Sequence, residues 1–373
     1  MDNLTQGGNG TAESPFATLA QAESSSSPGD MIYVYGGTST TTGMDQGITL
    51  QDNQWLQGSG RSFLVLTDFG VDEIPAQTTN WPTIGNPTGN TITLANNNKI
   101  VGLNLISSGH NIYGLETQGA SISYNNLAGS SMSDMYFENP SGIVNITHNN
   151  SRSASGLVLT TDENLTLNLQ NNVLINNGQV NLDLTFLGNS TSNASLRFNT
   201  LEQSTDGSII ATENAANLTL NYQGNRMQHT ETSSDSVITF SADDFSRMIV
   251  VAEDNYLAAP PLQGYEFITS GQALTFFYVE ENSGTYTGSE DEAYPFTFTV
   301  NNSSISNLLL SGNTATSSGY LLTNNSSAAT FNVQSPTLSL SGVQDLNTGT
   351  VSAAGSGTIT FISYTPSSTP QLD

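Results

Sequence analysis

The stretch Leu218-Thr219-Leu220-Asn221-Tyr222-Gln223-Gly224-Asn225 alternates apolar and polar residues and closes on asparagine. Such alternation is the period of a β-strand with one buried face. The same pattern recurs along the chain: SISYNN ends at Asn126, IVNITHNN at Asn150, LTLNLQNN at Asn172 and SLRFN at Asn199. Beyond Asn225 follow IVVAEDN to Asn255, LTFFYVEEN to Asn282 and LLLSGN to Asn313. Successive spacings are 24, 22, 27, 26, 30, 27 and 31 residues. Between these marks lie further strand-like runs, such as Gly156–Leu159 and Ser236–Phe240.

A period of this size marks a repeat architecture. Each period holds two or three short strands and no helical pattern, and it is too short and too irregular for a propeller blade of about 40–45 residues. The expected fold is all-β, a single-stranded right-handed parallel β-helix over residues 30–365. About 12 coils stacked at about 4.8 Å would reach roughly 60 Å. Stacked residues such as Ile146, Leu167, Leu196, Leu220 and Ile249 are expected inside. Asn126, Asn150, Asn172 and Asn225 are expected at the corners, where asparagine tolerates the left-handed conformation.

Composition agrees. Six Lys+Arg stand against 32 Asp+Glu in 373 residues, a net charge of −26, and only 10% of residues are charged. Asn, Ser and Thr fill the remainder and compete with helices through local backbone bonds. Six scattered cations cannot form the basic footprint of a nucleic-acid protein. No apolar run reaches the 18 residues of a membrane-spanning helix. Without cysteine there is no disulfide framework and no thiolate metal site. The opening MDNLTQGGNG lacks a signal-peptide pattern, and the close TPSSTPQLD reads as a linker over 366–373. The expectation is a segment of a larger exported chain.

Residues 1–29 read as an extension with a capping helix over 15–22, Ser14 as N-cap, Pro15 at the first position, and Phe16, Leu19 and Ala20 on one apolar face. An open solenoid end exposes strand edges and core, so a cap is required there. SPFATLAQA, the strand GDMIYVYGG, the run to LQGSG at Gly60 and then NTITLANNNKIVGLNL together resemble the opening of the pectin-lyase-like superfamily of parallel β-helices. Within it, this opening is most similar to the β-helical passengers of bacterial autotransporter and inverse-autotransporter (intimin- or invasin-like) surface proteins. The likeness covers about the first 105 residues. It implies a non-catalytic, monomeric passenger, held at the cell surface by an outer-membrane anchor that lies in another segment. Its role would be adhesion to a protein or glycan of host cells or other bacteria.

The same superfamily contains polysaccharide lyases and glycoside hydrolases, which form the competing expectation. Asp243-Asp244 in SADDFSR and the nearby Arg247 are the candidates for that chemistry. The hydrolase series N-T-D, D-D, G-H-G, R-I-K is not reproduced: Gly109-His110-Asn111 precedes the aspartate pair, and the first and last elements are missing. Asp243-Asp244 reads as a solvated turn rather than a catalytic pair, and a chain of charge −26 repels polyuronides. His110, His148 and His229 lack ligand spacing, and the sequence implies no cofactor beyond loose Ca²⁺ binding by Ser289–Glu292.

Neighbouring aromatics offer a different signal, because adjacent strand residues face opposite sides and one of each pair leaves the core. Such pairs occur at Tyr136-Phe137, Phe276-Phe277-Tyr278, and Tyr294-Pro295-Phe296. The least repetitive stretch, from Tyr256 to Phe296, is the expected recognition patch. Its candidate ligand-binding residues are Tyr265, Phe267, Tyr286, Glu290, Asp291, Glu292, Tyr294 and Phe296.

Overall fold

A computed structural model gives a parallel β-solenoid of about 11 turns, right-handed in type and only 4% helical. It describes residues 8–37, 40–67, 70–76, 81–175, 178–202, 206–228, 236–258, 263–285, 294–315, 319–335, 339–347 and 350–363. The chain divides into two compact units, Met1–Val158 and Leu159–Asp373.

In the second unit, one coil shows the plan. Strand Asn217–Gln223 belongs to a long-stranded sheet, here called sheet A. After a corner at Gly224-Asn225 comes the three-residue strand Arg226–Gln228 of sheet C, and then Ser236–Ala242 of sheet B. A four-residue turn leads into the next sheet A strand, Arg247–Glu253, which lies parallel to Asn217–Gln223. The register is a straight stack. Leu220 pairs with Val250, Val250 with Phe277, and Phe277 with Leu308, all buried. Like thus lies on like along the coil axis, and the core is continuous inside the three sheets.

Ile146, Leu167, Leu196 and Leu220 are buried, as the alternation requires. Ile249 is not: in Arg247–Glu253 the inward residues are Met248, Val250 and Ala252, and Ile249 faces out. Every residue from Met248 to Ala252 is apolar, so alternation there carries no sign of which face is which.

The corner asparagines form a ladder. In the first unit its members are Asn125 and Asn149, one position before the expected Asn126 and Asn150, which instead begin short sheet C strands. In the second unit it runs Asn172, Asn199, Asn225, Asn255, Asn282, Asn313 and Asn347, with side-chain amide bonds of 2.8–3.1 Å between neighbours. The left-handed residue is the one before each rung as far as Asn313, not the asparagine: Tyr124, His148, Asn171, Phe198, Gly224, Asp254, Glu281 and Gly312 all have φ between 55° and 68°. That residue turns the backbone, and the following side chain is left to bond along the stack.

The first unit carries the cap. The helix is Leu19–Ser25 rather than 15–22, and its N-cap is Thr18, which forms a capping box with Gln21. Leu19 and Ala22 are its buried residues, and Ala20 is exposed. The Leu56–Gly60 motif has a packing reason. A Cβ on Gly58 would lie 2.1 Å from the Gly102 carbonyl oxygen, and one on Gly60 would strike the Trp81 indole.

Two elements had no sequence forecast. An antiparallel hairpin, Phe63–Thr67 with Gly70–Ile74, leaves the first unit's solenoid. In the second unit a helix, Leu340–Asp345, replaces a plain corner and delivers Asn347 to the ladder.

Candidate binding face

Sheet B explains the fate of the expected aromatic patch. Phe240, Phe267 and Phe298 stack face to face at 4.9 and 4.7 Å between ring centroids. Beside them Tyr265, Phe296 and Tyr320 stack at 4.9 and 5.0 Å. Tyr265 is 1% exposed, and Phe267 and Phe296 are wholly buried. These three residues are therefore core and cannot meet a ligand, which corrects the sequence expectation. Straight parallel register places ring over ring, and this sequence uses aromatic columns where other coils use Leu184 and Ile210. Tyr294 is half-buried at the start of its strand, paired with Gln263. Tyr286, Glu290, Asp291 and Glu292, and with them the expected Ca²⁺ loop, lie outside the described residues.

Asp243 and Asp244 occupy the exposed turn entering sheet A. Asp243 accepts the Asp244 N–H at 2.7 Å, and Asp244 has φ of 56°, in column with Gly188, Asn214, Gly271 and Asn302 at the same step of other coils. Their geometry is that of a repeated turn. Among the described residues no three His, Asp or Glu side chains gather as a metal would require. His110 stacks on Tyr136 at 4.6 Å and its Nδ1 accepts the Ser133 N–H; burial lowers its pKa.

A different surface emerges on the outer face of sheet A in the second unit. Its strands Leu165–Gln170, Thr191–Arg197 and Asn217–Gln223 present Thr, Asn, Ser and Gln outward, with Arg197 as the one cation. The next three strands change character. Register aligns Thr219 with Ile249, Phe276 and Asn307, and Asn221 with Val251, Tyr278 and Leu309. At the entering edge the column is Arg247, Leu274 and Ile305. Ile249, Phe276, Tyr278 and Leu274 are half-buried, and Ile305 is 42% exposed. Val251 and Leu309 point outward yet retain 7% and 2% of their surface. The result is a continuous apolar and aromatic field on an otherwise polar coat.

Charge flanks this field asymmetrically. Arg247 sets its guanidinium 5.6 Å from the Phe276 ring centroid at the edge where the strands enter. At the leaving edge stand Glu253 and Glu280, side by side, followed by Asp254 and Glu281 at the corners. Desolvation raises the Glu253 carboxyl pKa, and repulsion from Asp254 and Glu281 raises it further, while Arg197 pulls it down. Gln223 Nε2 donates to it at 3.4 Å. The sequence had marked Phe276-Phe277-Tyr278 through its adjacent aromatics. Ile249, Leu274 and Ile305 joined that field only through register.

Comparison of the chain with protein-family models, with curated proteins and with solved structures yields no match.

Proposed function

We propose that this chain is a non-catalytic binding module of a bacterial cell surface, acting in adhesion to host cells or other bacteria. The observation that carries the reading is the outward field of Ile249, Leu274, Phe276, Tyr278 and Ile305. Apolar side chains on a sheet's solvent face cost solubility, and contiguous patches of that kind mark interaction sites. Aromatic residues dominate interface hot spots, and here Phe276 and Tyr278 project from adjacent positions on one face of a rigid strand. The surface location rests on the likeness of the first 105 or so residues to β-helical passengers and on the Lys- and Arg-poor, cysteine-free composition.

The test is binding of the purified chain to cultured host cells and to bacteria. The double variant Phe276→Ser, Tyr278→Ser is expected to keep the wild-type melting temperature within a few degrees and to lose most of its binding. Full binding by that variant would place the contact elsewhere. Degradation of polyuronides or neutral glycans, abolished by Asp243→Asn or Arg247→Ala, would establish the polysaccharide-enzyme reading in its place.

A further inference from the structure

The charges around the apolar field narrow the chemistry of its partner. Glu253 and Glu280 are register partners on neighbouring strands, and Asp254 and Glu281 follow them directly. Four carboxylates therefore line one edge of the apolar field, and at Glu253 burial and mutual repulsion already oppose ionisation. A cation brought to this edge relieves that repulsion at the moment it is desolvated. Resting on the binding-face reading, we infer that the field docks a protein segment whose apolar side chains alternate with Lys or Arg.

Arg247 and Glu253 end the same strand six residues apart, about 20 Å in extended chain. Arg247 follows closely on the exposed carboxylates Asp243 and Asp244, whereas Glu253 and Glu280 stand in register at the leaving edge beside the apolar field, so that edge is where the segment's cations are placed. A second copy of this chain is a poor occupant, because both copies carry a net charge of −26. A neutral glycan could lie on Phe276 and Tyr278 but gains nothing from the acidic edge.

The experiment uses the full chain and three synthetic 12-residue probes: alternating Lys-Leu, alternating Glu-Leu and alternating Lys-Ser. Binding is followed by fluorescence anisotropy at low and at physiological salt. The Lys-Leu probe is expected to bind at least tenfold more tightly than either of the others, and to compete with cell binding. The pair Glu253→Gln, Glu280→Gln is expected to weaken the Lys-Leu probe at least fivefold. The pair Glu163→Gln, Glu213→Gln removes equal charge from the exposed turns at the opposite end of the strands and is expected to leave binding unchanged. Equal losses in both pairs mean that only the overall charge of the chain is felt, and the inference falls. It falls as well if Lys-Ser matches Lys-Leu, or if cell binding depends on Phe276 and Tyr278 but ignores Glu253 and Glu280. That last outcome leaves the binding face standing, with a partner of other chemistry.

Discussion

Asn225 and Asn255 are joined twice. The Oδ1 of Asn255 accepts the Asn225 backbone N–H at 2.8 Å and its side-chain amide at 3.1 Å, while that amide also donates to the Leu196 carbonyl at 2.8 Å. Each rung thus takes up groups that a tight corner would otherwise bury without a partner. The arrangement repeats from Asn172 to Asn347 in the second unit, so neighbouring coils are held in register by the same chemistry at each step.

Replacing Asn225 by Ala should therefore be costly. The Asn199 N–H and amide lose their acceptor, and the Leu196 carbonyl loses a donor. An orphaned buried group costs about 1–3 kcal/mol, so a loss of at least about 2 kcal/mol is expected in urea unfolding. Asn347→Ala, at the last rung and only partly buried, should cost less.

Core register gives a paired prediction. Leu220→Ala is expected to cost about 2–5 kcal/mol, and Leu220→Asp to prevent folding. Ile249→Asp, on the outer face of the next strand, should fold. Soluble expression and thermal melting of the two aspartate variants separate the assigned register from one shifted by a residue.

Among the described residues the buried Tyr265 hydroxyl has no hydrogen-bond partner, inside the column with Phe296 and Tyr320. Tyr265→Phe keeps the ring and removes an unpaired polar atom, so the melting temperature should hold or rise. Phe267→Ala, in the neighbouring column, should cost about 3–5 kcal/mol. Were these rings contact residues, as the sequence alone suggested, Phe267→Ala would weaken binding with little effect on melting.

In the first unit Asp134 is fully buried. It accepts from Asn111 Nδ2 at 2.6 Å, from Ser151 Oγ at 2.6 Å, from Ser153 Oγ and from the Arg152 N–H at 2.9 Å. Desolvation raises its pKa, and these four donors pull against that rise without cancelling it. The folded state therefore holds the proton more tightly than the unfolded chain. Its contribution to stability is fully present below the ordinary aspartate pKa and is lost as pH rises through the raised folded value. The stability of wild type minus that of Asp134→Asn should fall with pH across that window and then level off. A flat difference in urea titrations from pH 3 upward would contradict the assignment. The variant should also be less stable near neutral pH, since its amide turns two donor hydrogens toward groups that are themselves donors.

What the sequence determined by itself was the periodic order: short alternating strands, an asparagine near every corner, and too few helix formers for anything but a β-repeat. These are local properties, carried by backbone preference and by the two-residue alternation of a strand. They sufficed for Leu220 in its strand and for Asn172, Asn199 and Asn225 at their corners. They failed where local chemistry is degenerate. In SISYNN either asparagine could be the rung, and in Arg247–Glu253 apolar residues occupy both faces. Stacking decided those cases, because a rung must bond to the rung one coil away and an inward residue must meet its counterpart. The same cause buried Tyr265, Phe267 and Phe296, which each found an aromatic neighbour about 30 residues distant. It also gathered Ile249, Phe276 and Ile305 from three separate coils into one outer field. Neighbourhood in a solenoid is set by the number of residues in each coil, and that number is fixed only when the coils close on one another.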